Sequence, residues 1–131
     1  MKKFSNIDGK YYSLHYHIVF CARYRRKIFT IQNLETRFIE LVNEICSENG
    51  IQLVDATCDT DFCYLIIDAP PSISVAGAIA KIKGHTGRKL LAEFEAFSRT
   101  QNLWTRNYLV STDAIKDDMI QQFRNKQVTH Y

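Results

Sequence analysis

Residues 51–58 (IQLVDATC) and 62–68 (FCYLIID) are two strand-like runs parted only by Asp59, Thr60 and Asp61. Turn-forming residues that close together force the chain to double back, so the two runs predict a β-hairpin. What flanks the hairpin then decides the architecture. Upstream, residues 11–21 (YYSLHYHIVFC) are β-branched and aromatic and predict a strand. Thr30 is placed to cap a helix to about Glu48, with Leu34, Phe38, Leu41, Val42 and Ile45 on one face and Gly50 as the stop. Downstream, Pro70 and Pro71 end the hairpin, and Ser72 or Ser74 opens a helix through Ile79, Ile82, Leu90, Leu91 and Phe94. Gly84 and Gly87 weaken the middle of that helix. Residues 103–111 (LWTRNYLVS) predict a fourth strand, and Asp113 caps a last helix reaching about Gln127.

The order is β-α-β-β-α-β plus a C-terminal helix. With right-handed crossovers this is an α+β, ferredoxin-like arrangement: a single antiparallel sheet with helices on one face, its other face or one edge left for a partner. A length of 131 residues suits one domain over 1–131, and 46% hydrophobic with 24% charged residues is ordinary for a soluble chain. No apolar run approaches membrane-spanning length, and the start MKKFSNIDGK lacks the apolar segment of a signal peptide. A cytoplasmic protein with no membrane partner is expected. This architecture hosts many unrelated functions, so side chains have to decide.

Net charge is +3, from 17 basic and 14 acidic residues, but the basic residues cluster. Arg23, Arg25, Arg26 and Lys27 lie in ARYRRKI, and Lys81, Lys83, Arg88 and Lys89 in KIKGHTGRK, while acids gather in residues 35–48 and 113–118. These are either two solvated faces or a phosphate-binding surface. Gly84 and Gly87 would let a nucleic-acid backbone approach, and Thr86 offers a hydroxyl, so the second segment favours DNA. Tyr24 is suited either to stacking on an unpaired base or to packing, and Trp104 to anchoring the core.

Cys21, Cys46, Cys58 and Cys63 form no CxxC pair, and Cys58 and Cys63 have no partners at zinc-site spacing; all four read as reduced thiols, mostly core filler. His15 and His17 would share one face of their strand, as in many metal sites. They lack a carboxylate or third ligand at fixed spacing, so packing or hydrogen bonding is the stronger reading.

LHYHIVFCARYRRKIFT, DAPPSISVAGAIAKIKGHTGRKL and LWTRNYLVST, in that order, resemble the single-tyrosine transposases of the HUH (His-hydrophobic-His) endonuclease superfamily, those of the "IS two-hundred" insertion sequences. The resemblance spans essentially the whole chain. It implies a ferredoxin-like homodimer that recognises DNA hairpins and cuts single-stranded DNA by joining a tyrosine to the 5′ phosphate. Two histidines on the strand after the hairpin turn, with a polar side chain from the last helix, would hold the divalent ion.

In that family the strand follows a pattern like Asp-His-hydrophobic-His-Leu-hydrophobic. Here it reads Asp61-Phe62-Cys63-Tyr64-Leu65-Ile66, with Phe62 and Tyr64 at the imidazole positions. The family's Tyr-x-x-x-Gln run becomes Phe123-Arg124-Asn125-Lys126-Gln127, which keeps the glutamine and loses the nucleophile. The expectation is a catalytically inactive, transposase-related protein with no catalytic residue, no metal and no cofactor. It would bind single-stranded or hairpin DNA as a homodimer through Arg23, Arg25, Arg26, Lys27, Lys83, Arg88 and Lys89. Two alternatives stand beside it: an active transposase using Tyr64 or Tyr131 with a metal bound elsewhere, and a ferredoxin-like module that binds a protein or a small molecule.

Overall fold

The computed structural model describes residues 4–128. Seven-residue strands His15–Cys21 (β3), Gln52–Cys58 (β4) and Phe62–Asp68 (β5) and the short Leu109–Ser111 (β6) form one antiparallel sheet in the order β4-β5-β3-β6. Helix Leu34–Glu48 (α1) links β3 to β4, and Val75–Glu93 (α2) links β5 to β6. This is the split βαβ arrangement expected.

Strand alternation divides the sheet into two faces. Ile18, Phe20, Cys63, Leu65 and Ile67 are buried beneath α1 and α2 together with Phe38, Leu41, Ile79 and Ile82. Arg37 of α1 joins the two helices by a bidentate pair to Glu93 of α2, at 2.7 and 2.9 Å. On the opposite face Val19, Cys21 and Phe62 pack with Ile120 and Phe123 of a third helix, Asp117–Asn125 (α3). The second face is therefore not left bare: α3 covers the end of it nearest the β4–β5 turn. Among the described residues no helix is long and apolar enough to cross a membrane.

Four element boundaries depart from expectation, each because a hydrogen bond goes elsewhere. The first predicted strand is broken. Ser5–Ile7 (β1) and Lys10–Tyr12 (β2) pair as a separate hairpin. Its two-residue turn, Asp8 and Gly9, has φ of 51° and 78°, the left-handed pair that an Asp-Gly turn favours. Thr30 does not cap α1, because its hydroxyl donates back to Lys27 O within a 3₁₀ turn, and the helix starts four residues later.

The strand predicted over 103–111 pairs at both ends but not in its middle. Arg23 N donates to Leu103 O and Thr105 N to Cys21 O, after which the chain leaves the sheet until Leu109. Finally, α3 starts at Asp117 and not after Asp113. The amide of Asp113 donates to Ser111 Oγ, and that of Ile115, which an Asp113 cap would accept from, donates to the Tyr64 hydroxyl. Helix α2 starts as expected, with Ser74 Oγ accepting from Gly77 N, and runs unbroken through Gly84 and Gly87.

Candidate functional site

Phe62, Tyr64 and Phe123 pack together where β5 meets α3, and Gln127 stands one turn beyond Phe123. Phe62 is buried, and the Arg124 guanidinium lies over its ring at 4.7 Å from the centroid. Arg124 also donates to Asp61 Oδ1 at 3.0 Å, while Arg25 Nε donates to Asp61 Oδ2 at 3.1 Å. Asp61 is itself only 3% exposed, so its two oxygens are held by two guanidinium groups from separate segments. The Tyr64 hydroxyl accepts from the Ile115 amide at 2.9 Å and lies 2.7 Å from His17 Nδ1. Phe123 packs into the apolar cluster of Val19, Cys21, Phe62 and Ile120. Buried Gln127 turns its amide nitrogen back onto Phe123 O. Tyr131 lies outside the described residues.

His17 thus hydrogen-bonds, as the sequence suggested, and its ring meets Tyr64 edge-on. His15 is exposed, with Nε2 at 3.9 Å from Asp68. Among the described residues no three His, Cys, Asp or Glu side chains are grouped to hold a metal ion. The four cysteines are free, and burial pushes the Cys21 and Cys46 thiols up to about 11 and Cys58 to about 12.

The basic residues fall into four environments. Arg25 is engaged with Asp61, as above. Arg26 is exposed, donates to Thr100 Oγ1 at 2.6 Å and lies over the Phe97 ring. Lys83 is half-buried, donates to the Thr105 carbonyl, and burial draws its pKa below the ordinary lysine range. Arg23, Lys27, Lys81, Arg88 and Lys89 are exposed.

The Thr86 hydroxyl is not available to a ligand: the side chain is fully buried, donates to Ile82 O and accepts from Trp104 Nε1. Gly87 likewise faces the Trp104 ring, which a Cβ there would meet at 3.6 Å. Trp104 is the core anchor expected, with Phe20, Phe29 and Phe38 around it at ring separations of 4.8 to 6.1 Å.

Three clefts run along the edge where the Arg23–Arg25 turn meets the chain between α2 and β6. The first, about 220 Å³, is lined by Arg23, Tyr24, Arg26, Arg99 and Asn102 among others. The second, about 650 Å³, adds Arg106 and Lys126, and the third, about 340 Å³, is bounded by Lys83, Arg88 and Arg106. Among the described residues no Asp or Glu lines any of them. Arg99, Asn102, Arg106 and Lys126 are absent from the sequence-derived site. The first three lie in SRTQNLWTRNY, a polar and basic segment of which only Arg106 falls within the predicted strand, and Lys126 lies in the predicted last helix.

Comparison with known proteins supplies the context. The family described as "Transposase IS200 like" matches residues 10–127. The transposase for insertion sequence element IS200 of Salmonella typhimurium is 26% identical over 117 residues, 86% of this chain and 76% of that protein. The ISDra2 transposase TnpA of Deinococcus radiodurans is 22% identical over 107 residues, 79% of this chain and 76% of its own length. A crystal structure of a chain from Deinococcus radiodurans R1, assigned as a transposase, superposes with a TM-score of 0.82 at 24% identity. It covers 99% of this chain and 100% of that one. The REP-associated tyrosine transposase bound to a REP hairpin superposes with a TM-score of 0.57 at 11% identity, over 90% of this chain and 67% of that one.

Proposed function

The chain belongs to the IS200-like transposase family, and from that membership we propose that it is a transposase-related protein which binds structured, hairpin-bearing single-stranded DNA without cleaving it. The observation that carries this reading is what occupies the junction of β5 and α3. A divalent ion needs oxygen or imidazole donors with free lone pairs. Phe62 has none, the Tyr64 hydroxyl is engaged by Ile115 N and His17, and the Arg124 guanidinium sits over the Phe62 ring. The metal that the family resemblance implies does not fit this donor set. Phe123 carries no hydroxyl to form a phosphotyrosine.

Hairpin DNA as the ligand is supported by the fold shared with the REP-associated transposase, whose structure holds a REP hairpin. Basic clefts free of acidic lining support it independently. In this reading Arg23, Arg26, Lys27, Lys83, Arg88 and Lys89 face the DNA, Arg25 acts chiefly by holding its turn against Asp61, and the working unit is a homodimer. The opposite reading, cleavage by Tyr64, draws support from the 2.7 Å contact between that hydroxyl and His17 Nδ1, with His17 taken as the base.

One experiment separates them. A labelled hairpin oligonucleotide with single-stranded flanks is incubated with the protein and manganese, then run on native and denaturing gels. The proposal expects a retarded native band and no covalent adduct under denaturing conditions. An adduct that disappears in Tyr64→Phe would establish the second reading. Adduct formation gained on combining Phe62→His, Tyr64→His and Phe123→Tyr would support the assignment of these positions.

A further inference from the structure

Cys58, the last residue of β4, stands directly opposite Cys63 of β5 in the antiparallel register. Beside them Asp59 N donates to Phe62 O at 2.9 Å. Hydrogen-bonded and non-hydrogen-bonded pairs alternate along an antiparallel ladder. Cys58 and Cys63 are therefore a non-hydrogen-bonded pair, in which the Cα atoms approach to about 4.5 Å. That lies within the span a disulfide requires, about 4.4 to 6.8 Å. Residues opposite each other in a sheet share a face, and both side chains pack with the core that α1 and α2 cover. Cys21 lies on the other face with Val19 and Phe62, and Cys46 is on α1, so no other two cysteines oppose each other in register. Cys58 is half-buried and Cys63 has no exposed surface, so a reagent from solvent meets Cys58 first.

We propose that Cys58 and Cys63 are a modification site, a thiol pair that a low-molecular-weight disulfide oxidises to a bridge across the hairpin. The Cys58 thiolate attacks one sulfur of the reagent and expels one small thiolate, leaving a mixed disulfide. Cys63 releases its proton and attacks the Cys58 sulfur, expelling the second small thiolate. Two protein thiols are oxidised and one small disulfide is reduced to two thiols. Burial keeps both thiols protonated, Cys58 up to about 12, so the exchange is slow at neutral pH and quickens as the solution turns alkaline. In a reducing compartment such a bridge is transient and redox-sensing, not structural. Its position gives it a consequence, because it closes a ring around the turn of Asp59, Thr60 and Asp61. Asp61 holds Arg124 of α3 and also Arg25, in the turn after β3 where Tyr24 and Arg25 take strained, left-handed φ of 60° and 54°. Oxidation therefore secures the carboxylate on which both segments rest.

The folded wild-type protein is incubated with oxidised glutathione at mildly alkaline pH, quenched with acid, unfolded and alkylated. Chymotrypsin then cuts after Phe62, which leaves the two cysteines on separate peptides unless a bridge joins them. The expected result is alkylation of Cys21 and Cys46 alone, a joined pair of peptides carrying Cys58 and Cys63, and an intact mass lower by two hydrogens. Cys63→Ala, which keeps the core position apolar, should stop at a glutathione adduct on Cys58, and Cys58→Ser should stay unmodified. Hydrogen exchange across Asp117–Asn125 should be slower in the oxidised wild type than in the reduced protein. The site is overturned if the folded chain gains no bridge under conditions that oxidise the urea-unfolded chain, or if the bridge or adducts fall on Cys21 or Cys46. Unchanged exchange across α3 in the bridged protein overturns the coupling through Asp61.

Discussion

Cys21, Cys46 and Cys63 are buried without exposed surface, and Cys58 is half-buried beside Cys63 across the hairpin. Removal of the thiolate from water is the main cause of every upward shift among them, supplemented at Cys21 by the Asp61 carboxylate. The sign of the consequence follows from linkage. A thiol whose folded value exceeds its unfolded value keeps its proton longer in the folded state. Its stabilising contribution is therefore complete below about pH 9 and is lost as pH rises towards 11–12. Lys83, shifted downward, acts oppositely and adds stability as pH rises to its ordinary 10.5. Urea unfolding measured from pH 8 to 10.5 should show a net fall in stability, and Cys46→Ala should flatten it. Cys46 alone accounts for up to about 2–3 kcal/mol by the two-unit shift.

At the scale of elements, α3 is the piece whose placement depends most on single contacts. It buries Ile120 and Phe123, and Arg124 ties it to the β4–β5 turn through Asp61 and to β5 through the Phe62 ring. Asp61 also receives Arg25, so one carboxylate joins α3, the hairpin turn and the strained turn after β3. Its removal leaves two largely buried guanidinium groups uncompensated. Asp61→Ala is expected to cost about 3 kcal/mol in urea unfolding. Arg124→Met, which keeps an apolar stem over Phe62, should cost less. In that variant hydrogen exchange should quicken across Asp117–Asn125 while the amides of β3 and β5 remain protected.

Across the whole molecule charge is distributed with a direction. The basic clefts lie along the edge formed by the turn after β3, the α2–β6 connection and the end of α3, whereas Asp68 and Asp113 line the cleft at the other end of β3. A net charge of +3 therefore understates the field a phosphate meets at that edge. Hairpin affinity measured between 50 and 300 mM salt should fall linearly on logarithmic axes. Arg106→Ala combined with Lys126→Ala should lower the slope by roughly 1 to 2, with about 0.7–0.9 lost per phosphate contact. An unaltered slope would place the DNA elsewhere on the molecule.

Local pattern alone was enough for much of this architecture. The strand Phe62–Asp68, the cap at Ser74, the core face of α1 and the order β-α-β-β-α-β all follow from alternation, capping residues and turn chemistry within short windows. The Asp8-Gly9 turn carries the same kind of two-residue signal, although no hairpin was expected there. Tertiary structure decided whatever depended on a partner far along the chain. The start of α3 waits on an amide taken by a tyrosine 51 residues away, and Thr86 is turned inward by Trp104. The loop that interrupts the last strand is held by Lys83, 22 residues before Thr105. The basic clefts belong to the same class, drawn from the turn at Tyr24, the loop at Asn102 and the end of α3 at Lys126. Hydrophobic and turn periodicities are local and survive in the one-dimensional string. Hydrogen-bond competition and the gathering of charges depend on which distant segments the fold brings together.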